Sequence, residues 1–375
     1  MLLIRFIHTS DLHLGKPFGR FPEDVRVRLR QARADVLPKL AQLAHQARAS
    51  HILLAGDTFD QTTPAPSVIR QALNAMRAAE HVTWVLMPGN HDHASASELW
   101  RQVRQDAPPN VVALLDPTPF ALSPAATLLP APPTERHPGR DLTDWFDTAP
   151  TGESLRIGLA HGSVTDFDSS EDGGSSIIAA DRARRSGLGY LGLGDWHGQL
   201  QVGPETWYSG APEADAFKHT QTPSALLVDL AGPGAPAQVS ALPTGSIRWM
   251  RCRLDLAGDA DAPTAHSATL PPLAARALTL FDLHVTGRAR PLTWVALEQA
   301  VLQTAPDFLW HRADFGQLGL MPDTADLDAI DSIGALRAAA NALAVEAANP
   351  AIPTDQRATA EAALSYLFSY ALERT

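Results

Sequence analysis

Five short polar segments follow one another along the chain: Asp11-Leu12-His13, Gly56-Asp57-Thr58-Phe59-Asp60, Gly89-Asn90-His91-Asp92, Ala160-His161-Gly162 and Gly194-Asp195-Trp196-His197. Together they offer carboxylates, imidazoles and one amide oxygen, the donors that hard and borderline divalent cations take. Each ends or follows an apolar run, which places it where a buried strand gives way to a loop. The ordered set predicts hydrolysis assisted by two metal ions. In that chemistry a cation pair roughly 3.5–4 Å apart yields a metal-activated hydroxide, clamps phosphate oxygens and offsets charge developing in an in-line displacement.

Taken singly, the segments have plainer explanations. Asp11 and His13 are alternate residues leaving a strand and can point the same way, but a solvated Asp beside a core-edge His gives the same triplet. Asp57, after Gly56, is able to bridge two cations through both oxygens or to cap a helix. Asn90 brings a neutral oxygen, although Asn and Gly are also turn residues. The adjacent His91 faces another direction, suited to touching a substrate. His161 closes an apolar strand, where a backbone-bonded buried histidine is an equal alternative. A nucleophilic triad has no support, since Cys252 lies outside the segments and no Gly-x-Ser-x-Gly elbow occurs. No Walker-type loop is present, so ATP dependence would have to come from another subunit.

The elements that must carry these residues alternate in the first half. Strands are predicted at 2–8, 51–55 and 82–87, with helices at 23–49 and from Pro66 to Glu80. The first helix rests on the spacing of Leu29, Ala32, Val36, Leu40, Leu43 and Ala47. The β-α-β-α-β order implies parallel strands, and open sheets of that kind gather ligands at the carboxyl ends of their strands. Residues 116–153 are rich in Pro and Ala and read as a loop or hairpin excursion before the strand 155–160. Residues 224–256 read as antiparallel strands turning at Gly232-Pro233-Gly234, and 257–274 as a linker. A second unit over 275–375 is predicted to hold a strand at 277–286 and helices at 292–303, 328–346 and 355–373. The expected domains are therefore 1–256 and 275–375.

At 375 residues, two domains is the natural expectation. A single cysteine excludes a disulfide framework and a thiolate zinc cluster, and it fits a reducing cytoplasm. The opening Met1–His8 is too short in apolar residues for a signal peptide, and no run approaches the roughly 18 apolar residues of a membrane span. The net charge of −11 opposes a polyanionic substrate unless cations or a basic partner neutralise it locally.

As an ordered set the five segments resemble the calcineurin-like metallophosphoesterases, whose pattern is D-x-H, G-D-x-x-D, G-N-H-[DE], a lone His, then G-H-x-H. The likeness spans about residues 1–245. Its detail is similar to the DNA-repair exonuclease branch, the SbcD-like nuclease subunits, through His8 to Gly15, Tyr190 to Gly194, and Tyr208-Ser209-Gly210-Ala211-Pro212-Glu213. The resemblance implies a four-layered α/β/β/α core with a small C-terminal α+β capping domain. It implies a first metal held by Asp11, His13, Asp57 and His197, and a second by Asp57, Asn90, His161 and residue 195. His91 would serve the leaving group as a catalytic residue, with Asp60 fixing its tautomer and Asp92 outside the ligand set.

One position departs from the pattern: Asp195 stands where the family has the first histidine of its last motif. An aspartate there predicts a second site that favours Mn²⁺ or Mg²⁺ over Zn²⁺, with Fe²⁺ also admissible. The rival reading is that Asp195 misses the metal and leaves a catalytically weak scaffold. The preferred function is a Mn²⁺-dependent DNA nuclease of the double-strand-break repair type, exonucleolytic or endonucleolytic. The alternative is a phosphodiesterase acting on a small nucleotide or another non-DNA diester. The expected partners are DNA, an SMC-like ATPase subunit and a second copy of the chain, without a membrane. Two small basic clusters, Arg248/Arg251/Arg253 and Arg288/Arg290, read as solvated surface or as phosphate contacts. The apolar stripe Ala360, Ala363, Leu364, Leu367, Tyr370 and Ala371 on the last helix reads as core packing or as a docking face for the ATPase.

Overall fold

A computed structural model describes residues 4–164, 177–219, 221–257, 260–320 and 334–372. The chain divides into two compact units, Met1–Ile247 and Arg248–Thr375.

The first unit is built on two six-stranded sheets. In one, the strands run in the order Gln238–Pro243, Ser224–Leu230, Ile4–Thr9, His51–Ala55, Thr83–Met87, Val111–Ala113. The last four are mutually parallel, as their alternation with helices predicts, and the first two pair antiparallel. In the other, the order is Leu200–Gln201, Thr206–Tyr208, Tyr190–Gly194, Leu155–His161, Ala126–Ala131, Phe120–Ser123. Its four inner strands are parallel.

Apolar side chains of both sheets, among them Phe6, Leu53, Val85, Leu128, Ile157 and Tyr190, form one core. Helices Glu23–Ala47, Pro66–Arg77 and Ser97–Asp106 cover the outer face of the first sheet through Leu40, Leu73 and Trp100. The outer face of the second packs on Phe146 and Ala183, which lie in a short 3-10 helix and a single helical turn. The result is the expected α/β/β/α layering. Parallel strands buried on both faces read as unbroken apolar runs, which His51-Ile-Leu-Leu-Ala and Thr83-Trp-Val-Leu-Met are.

Three expectations need correction. The Pro/Ala-rich stretch 116–153 does hold the expected hairpin, Phe120–Ser123 with Ala126–Ala131, but the hairpin supplies strands to the second sheet and is no excursion from it. The strands within 224–256 are antiparallel only as far as Pro243. Arg248–Leu256 instead pairs in parallel with Thr279–Ala289, so the first unit ends at Ile247 rather than at 256. Finally, the expected linker 257–274 contains the helix Ala262–Thr269, which buries Ala262 and His266. Its small residues pack against a sheet and do not signal slack.

The second unit is a three-stranded parallel sheet, Arg248–Leu256, Thr279–Ala289 and Trp310–Leu320. One face packs on helix Pro291–Thr304 through Leu254, Phe281, Leu283 and Leu297. On this sheet Arg251 and Arg312 both bond the buried Asp282. The helices Ala335–Ala348 and Thr354–Leu372 follow. Residues 328–333 of the expected helix lie outside the described residues. Ala360 and Leu364 are buried, and Leu364 packs with Ala340, Leu343 and Trp294, so that part of the stripe lies in its own unit. The side chains of Tyr370 and Ala371 lie outside the described residues. Among the described residues, no helix is long and apolar enough to cross a membrane.

Candidate metal centre

Strands Ile4–Thr9, His51–Ala55 and Thr83–Met87 lie side by side and run the same way, so the loops after them emerge together. Leu155–His161 and Tyr190–Gly194 do likewise in the facing sheet. The first two loops are zipped by main-chain bonds, Asp11 N–H to the Gly56 carbonyl (3.1 Å) and His13 N–H to the Asp57 carbonyl (2.9 Å). Two glycines permit the close approach. A Cβ on Gly56, whose φ is +91°, would strike the His161 ring, and one on Gly89 would strike the Asp57 side chain and amide.

Four of the five segments line one cavity of about 360 Å³, through His13, Asp57, Asn90, His91, Asp195 and His197 among others, and His161 of the remaining segment reaches Asp57. The donor atoms of Asp11, His13 and His197 lie within 4.8 Å of one another, and so do those of Asp11, Asp57 and His161. Asp57 faces both sets. Its Oδ2 is 3.5 Å from His13 Nε2, and its Oδ1 is 3.7 Å from His161 Nε2. Oδ1 also accepts from the His91 amide at 2.9 Å. The Nδ1–H of His161 donates to the Ala55 carbonyl at 2.8 Å, which turns Nε2 toward the carboxylates. Asn90 gives its Nδ2–H to Asp195 Oδ1 at 3.2 Å, while its own Oδ1 is buried with no partner among the described residues.

Asp195 stands inside this group. Its Oδ1 is 3.8 Å from His161 Nε2, its Oδ2 accepts from Ser163 at 3.3 Å, and its amide donates to the Asp11 carboxylate. Asp11, His13, Asp57 and Asp195 all hold left-handed backbone, with φ of 56°, 43°, 52° and 96°. Few residues other than glycine adopt that region, and such strain gathers at functional sites.

Electrostatics point to cations. Burial pushes the Asp57 carboxyl up to about 7, and the neighbouring Asp11 and Asp195 add to the shift against the opposing pull of His161. Burial alone would lower the His161 imidazole, but Asp57, Asp11 and Asp195 outweigh it and raise it to about 9. Crowded carboxylates around a buried, partnerless amide oxygen form a set that a divalent cation would relieve. The residues fit the hard and borderline metals of the expectation.

Asp60 meets two imidazoles through different groups. Its carboxylate faces His13, Oδ1 being 3.2 Å from Nδ1, and it is the Asp60 carbonyl that accepts from His91 Nδ1 at 2.9 Å. His91 is thus oriented by the main chain of Asp60 rather than by its carboxylate. Asp92 is fully buried and ties two loops together by accepting from the Phe59 and Gly89 amides.

Residues that the motifs do not reveal hold the site from behind. Asp215 Oδ1 lies 3.3 Å from His197 Nδ1, and its Oδ2 meets Lys16 Nζ at 2.7 Å and Arg33 Nη2 at 3.3 Å. Burial would raise the Asp215 carboxyl, but His197, His219 and Arg33 hold it well below the usual carboxylate range. Arg33, interior on the first helix, also donates to the carbonyls of Asp11 and Leu12. Asp215 lies two residues past the Tyr208–Glu213 segment, and only its closeness to that segment could have drawn attention to it.

A family model described as Calcineurin-like phosphoesterase matches residues 4–227. The SbcD component of the SbcCD nuclease of Bacillus subtilis (strain 168) is 24% identical over 271 residues, 62% of this chain and 68% of that protein. The component of the same name in Escherichia coli (strain K12) is 34% identical over 139 residues, covering 34% of this chain and 32% of that protein. A third relative, Uncharacterized metallophosphoesterase YhaO of Bacillus subtilis (strain 168), is 30% identical over 96 residues, 24% of this chain and 23% of that protein. The chain thus spans about two thirds of the length of the first relative and a third or less of the other two.

Proposed function

Because the chain belongs to the calcineurin-like phosphoesterase family, and is a hydrolase, we propose that its substrate is a phosphodiester of DNA. The observation that carries this reading is the convergence of donors from the five segments, four of them on one cavity and His161 against Asp57, with Asp57 turned toward two sets at once. We assign Asp11, His13, Asp57 and His197 to one cation, and Asp57, Asn90, His161 and Asp195 to the other, with Mn²⁺ preferred. When bound, the cations would supply an activated water and positive charge against the phosphate oxygens.

The chain's own side chains do the rest. His91 commits its Nδ1–H to the Asp60 carbonyl, so Nε2 is the atom that holds a proton for the leaving oxygen. Lys16, Arg136 and Lys218 line the same cavity against Asp57, Asp195 and Asp215, so its lining is balanced where the chain as a whole carries −11. Similarity to nuclease subunits supports DNA over a small nucleotide. The reading includes an SMC-like ATPase subunit as partner, a cytoplasmic location and a capping role for the second unit.

The purified chain with Mn²⁺ is expected to degrade single- or double-stranded DNA and to stop on chelation. Hydrolysis of a cyclic nucleotide or a chromogenic diester without DNA would move the assignment to small substrates. Metal binding with no hydrolysis of any of them would leave a scaffold.

A further inference from the structure

Beside the metal centre lies a second cavity of about 330 Å³, and the two share Trp196, His197, Lys218 and His219 along a common rim. Their linings differ. Asp57, Asp195 and Asp215 border the first, whereas no carboxylate borders the second among the described residues. Beyond the shared rim its walls are uncharged residues, among them Gly198, Gly210, Ala211, Gln199 and Gln221.

The space has identifiable causes. A Cβ on Gly198 would come within 2.8 Å of the Trp196 indole Nε1, so glycine there lets the ring lie along the chain. Gln199 is fixed at the wall, its amide donating to Gln221 Oε1 at 2.7 Å and its Nε2–H to Ser224 Oγ at 3.2 Å. Ser209, also at the wall, shares a hydrogen bond of 2.8 Å with Ser10, the residue before Asp11. The cavity is therefore tied to the loop that carries the metal donors. Trp196 itself stands between Asp195 and His197 in the chain.

We propose that this cavity receives the nucleobase of the nucleotide bearing the scissile phosphate, stacked on the Trp196 indole. The inference rests on the diesterase reading above and gives its site a base-binding half. A concave pocket with a few fixed polar groups, and with charge only at its shared rim, suits a neutral aromatic ring rather than a further phosphate. Stacking on an aromatic side chain accepts any base, because every base has a π-face. The two cavities share the Trp196–His197 rim, which sets the base next to the phosphate.

The test uses two chromogenic diesters with one leaving group, thymidine 5′-(p-nitrophenyl) phosphate and methyl p-nitrophenyl phosphate, on the full chain with Mn²⁺. The wild type is expected to favour the thymidine ester by on the order of tenfold in kcat/KM. Trp196→Ala should lose that preference and Trp196→Phe keep most of it, with metal content measured in all three to exclude damage to Asp195 or His197. A second arm follows millimolar thymidine by saturation-transfer NMR, with binding expected to the wild type and not to Trp196→Ala. Equal preference in wild type and Trp196→Ala, or no thymidine binding to the wild type, overturns the proposal. If neither ester is hydrolysed, degradation of DNA decides the diesterase reading and the thymidine arm alone decides the cavity.

Discussion

Asp215 sits behind His197, with its Oδ1 3.3 Å from Nδ1, while the opposite nitrogen, Nε2, faces Asp11 at 3.7 Å. A carboxylate so placed fixes the imidazole's tautomer and leaves Nε2 as the donor. Asp215→Asn should weaken binding of the cation assigned to Asp11, His13 and His197 by about 10–100-fold. Calorimetric titration with Mn²⁺ reads this directly, and an isotherm matching the wild type would show that Asp215 does not act through His197.

His91 has its ring fixed by a main-chain carbonyl and lies outside both sets of donors assigned to cations. His91→Ala should lower kcat by about 10²–10⁴-fold, the usual contribution of a positioned proton donor. Metal content should stay at the wild-type value. Loss of metal in this variant would make His91 a ligand and remove its proposed role.

Asp195 tests the departure from the family pattern. Asp195→Ala is expected to reduce bound metal per chain, measured by elemental analysis after dialysis. Asp195→His should shift the preference from Mn²⁺ toward Zn²⁺, as an imidazole replaces a hard oxygen donor. Unchanged stoichiometry in the alanine variant would mean that Asp195 only orients Asn90 and Ser163.

His8 gives a pH dependence independent of cations. It is fully buried beneath Tyr190, with Nδ1 2.9 Å from the phenol oxygen. Burial pushes its imidazole down to about 3, against a hydrogen bond to the Leu193 main chain that opposes the shift. The unfolded chain therefore takes up this proton first. The contribution of His8 is whole above pH ~6.5 and drains away as pH falls toward about 3. Thermal unfolding between pH 7 and 4.5 should show Tm falling, with a flatter slope for His8→Gln. Coincident slopes would assign the acid sensitivity elsewhere.

Much of the site is legible in the chain because each donor follows a run that can only be a buried strand, and parallel strands bring their ends together. His51-Ile-Leu-Leu-Ala before Gly56-Asp57 is such a case, and Leu155 to Ala160 before His161 is another. Asp215 is not legible in this way. It lies in a loop without periodicity, and its partner His197 is fixed by a contact that sequence spacing does not encode. That Asp60 meets His91 through its carbonyl is also not legible, because the spacing of Asp57 and Asp60 says nothing of which group, carbonyl or carboxylate, faces the ring. Arg248–Leu256 shows a third limit. Its alternation fits a strand in either unit, and only the register with Thr279–Ala289 decides its place.

The left-handed backbone at Asp11, His13, Asp57 and Asp195 restricts what drift can do to these positions. Apart from glycine, the residue types that enter that region most readily are Asn, Asp and His, and all three also carry donor atoms for cations. An exchange of histidine for aspartate at position 195 therefore leaves the chain path intact and changes only the chemistry presented. Valine, isoleucine or threonine there would distort the loop before any question of coordination arose. Laboratory evolution of altered metal selectivity in this scaffold has, at these four places, little beyond that short set to draw on.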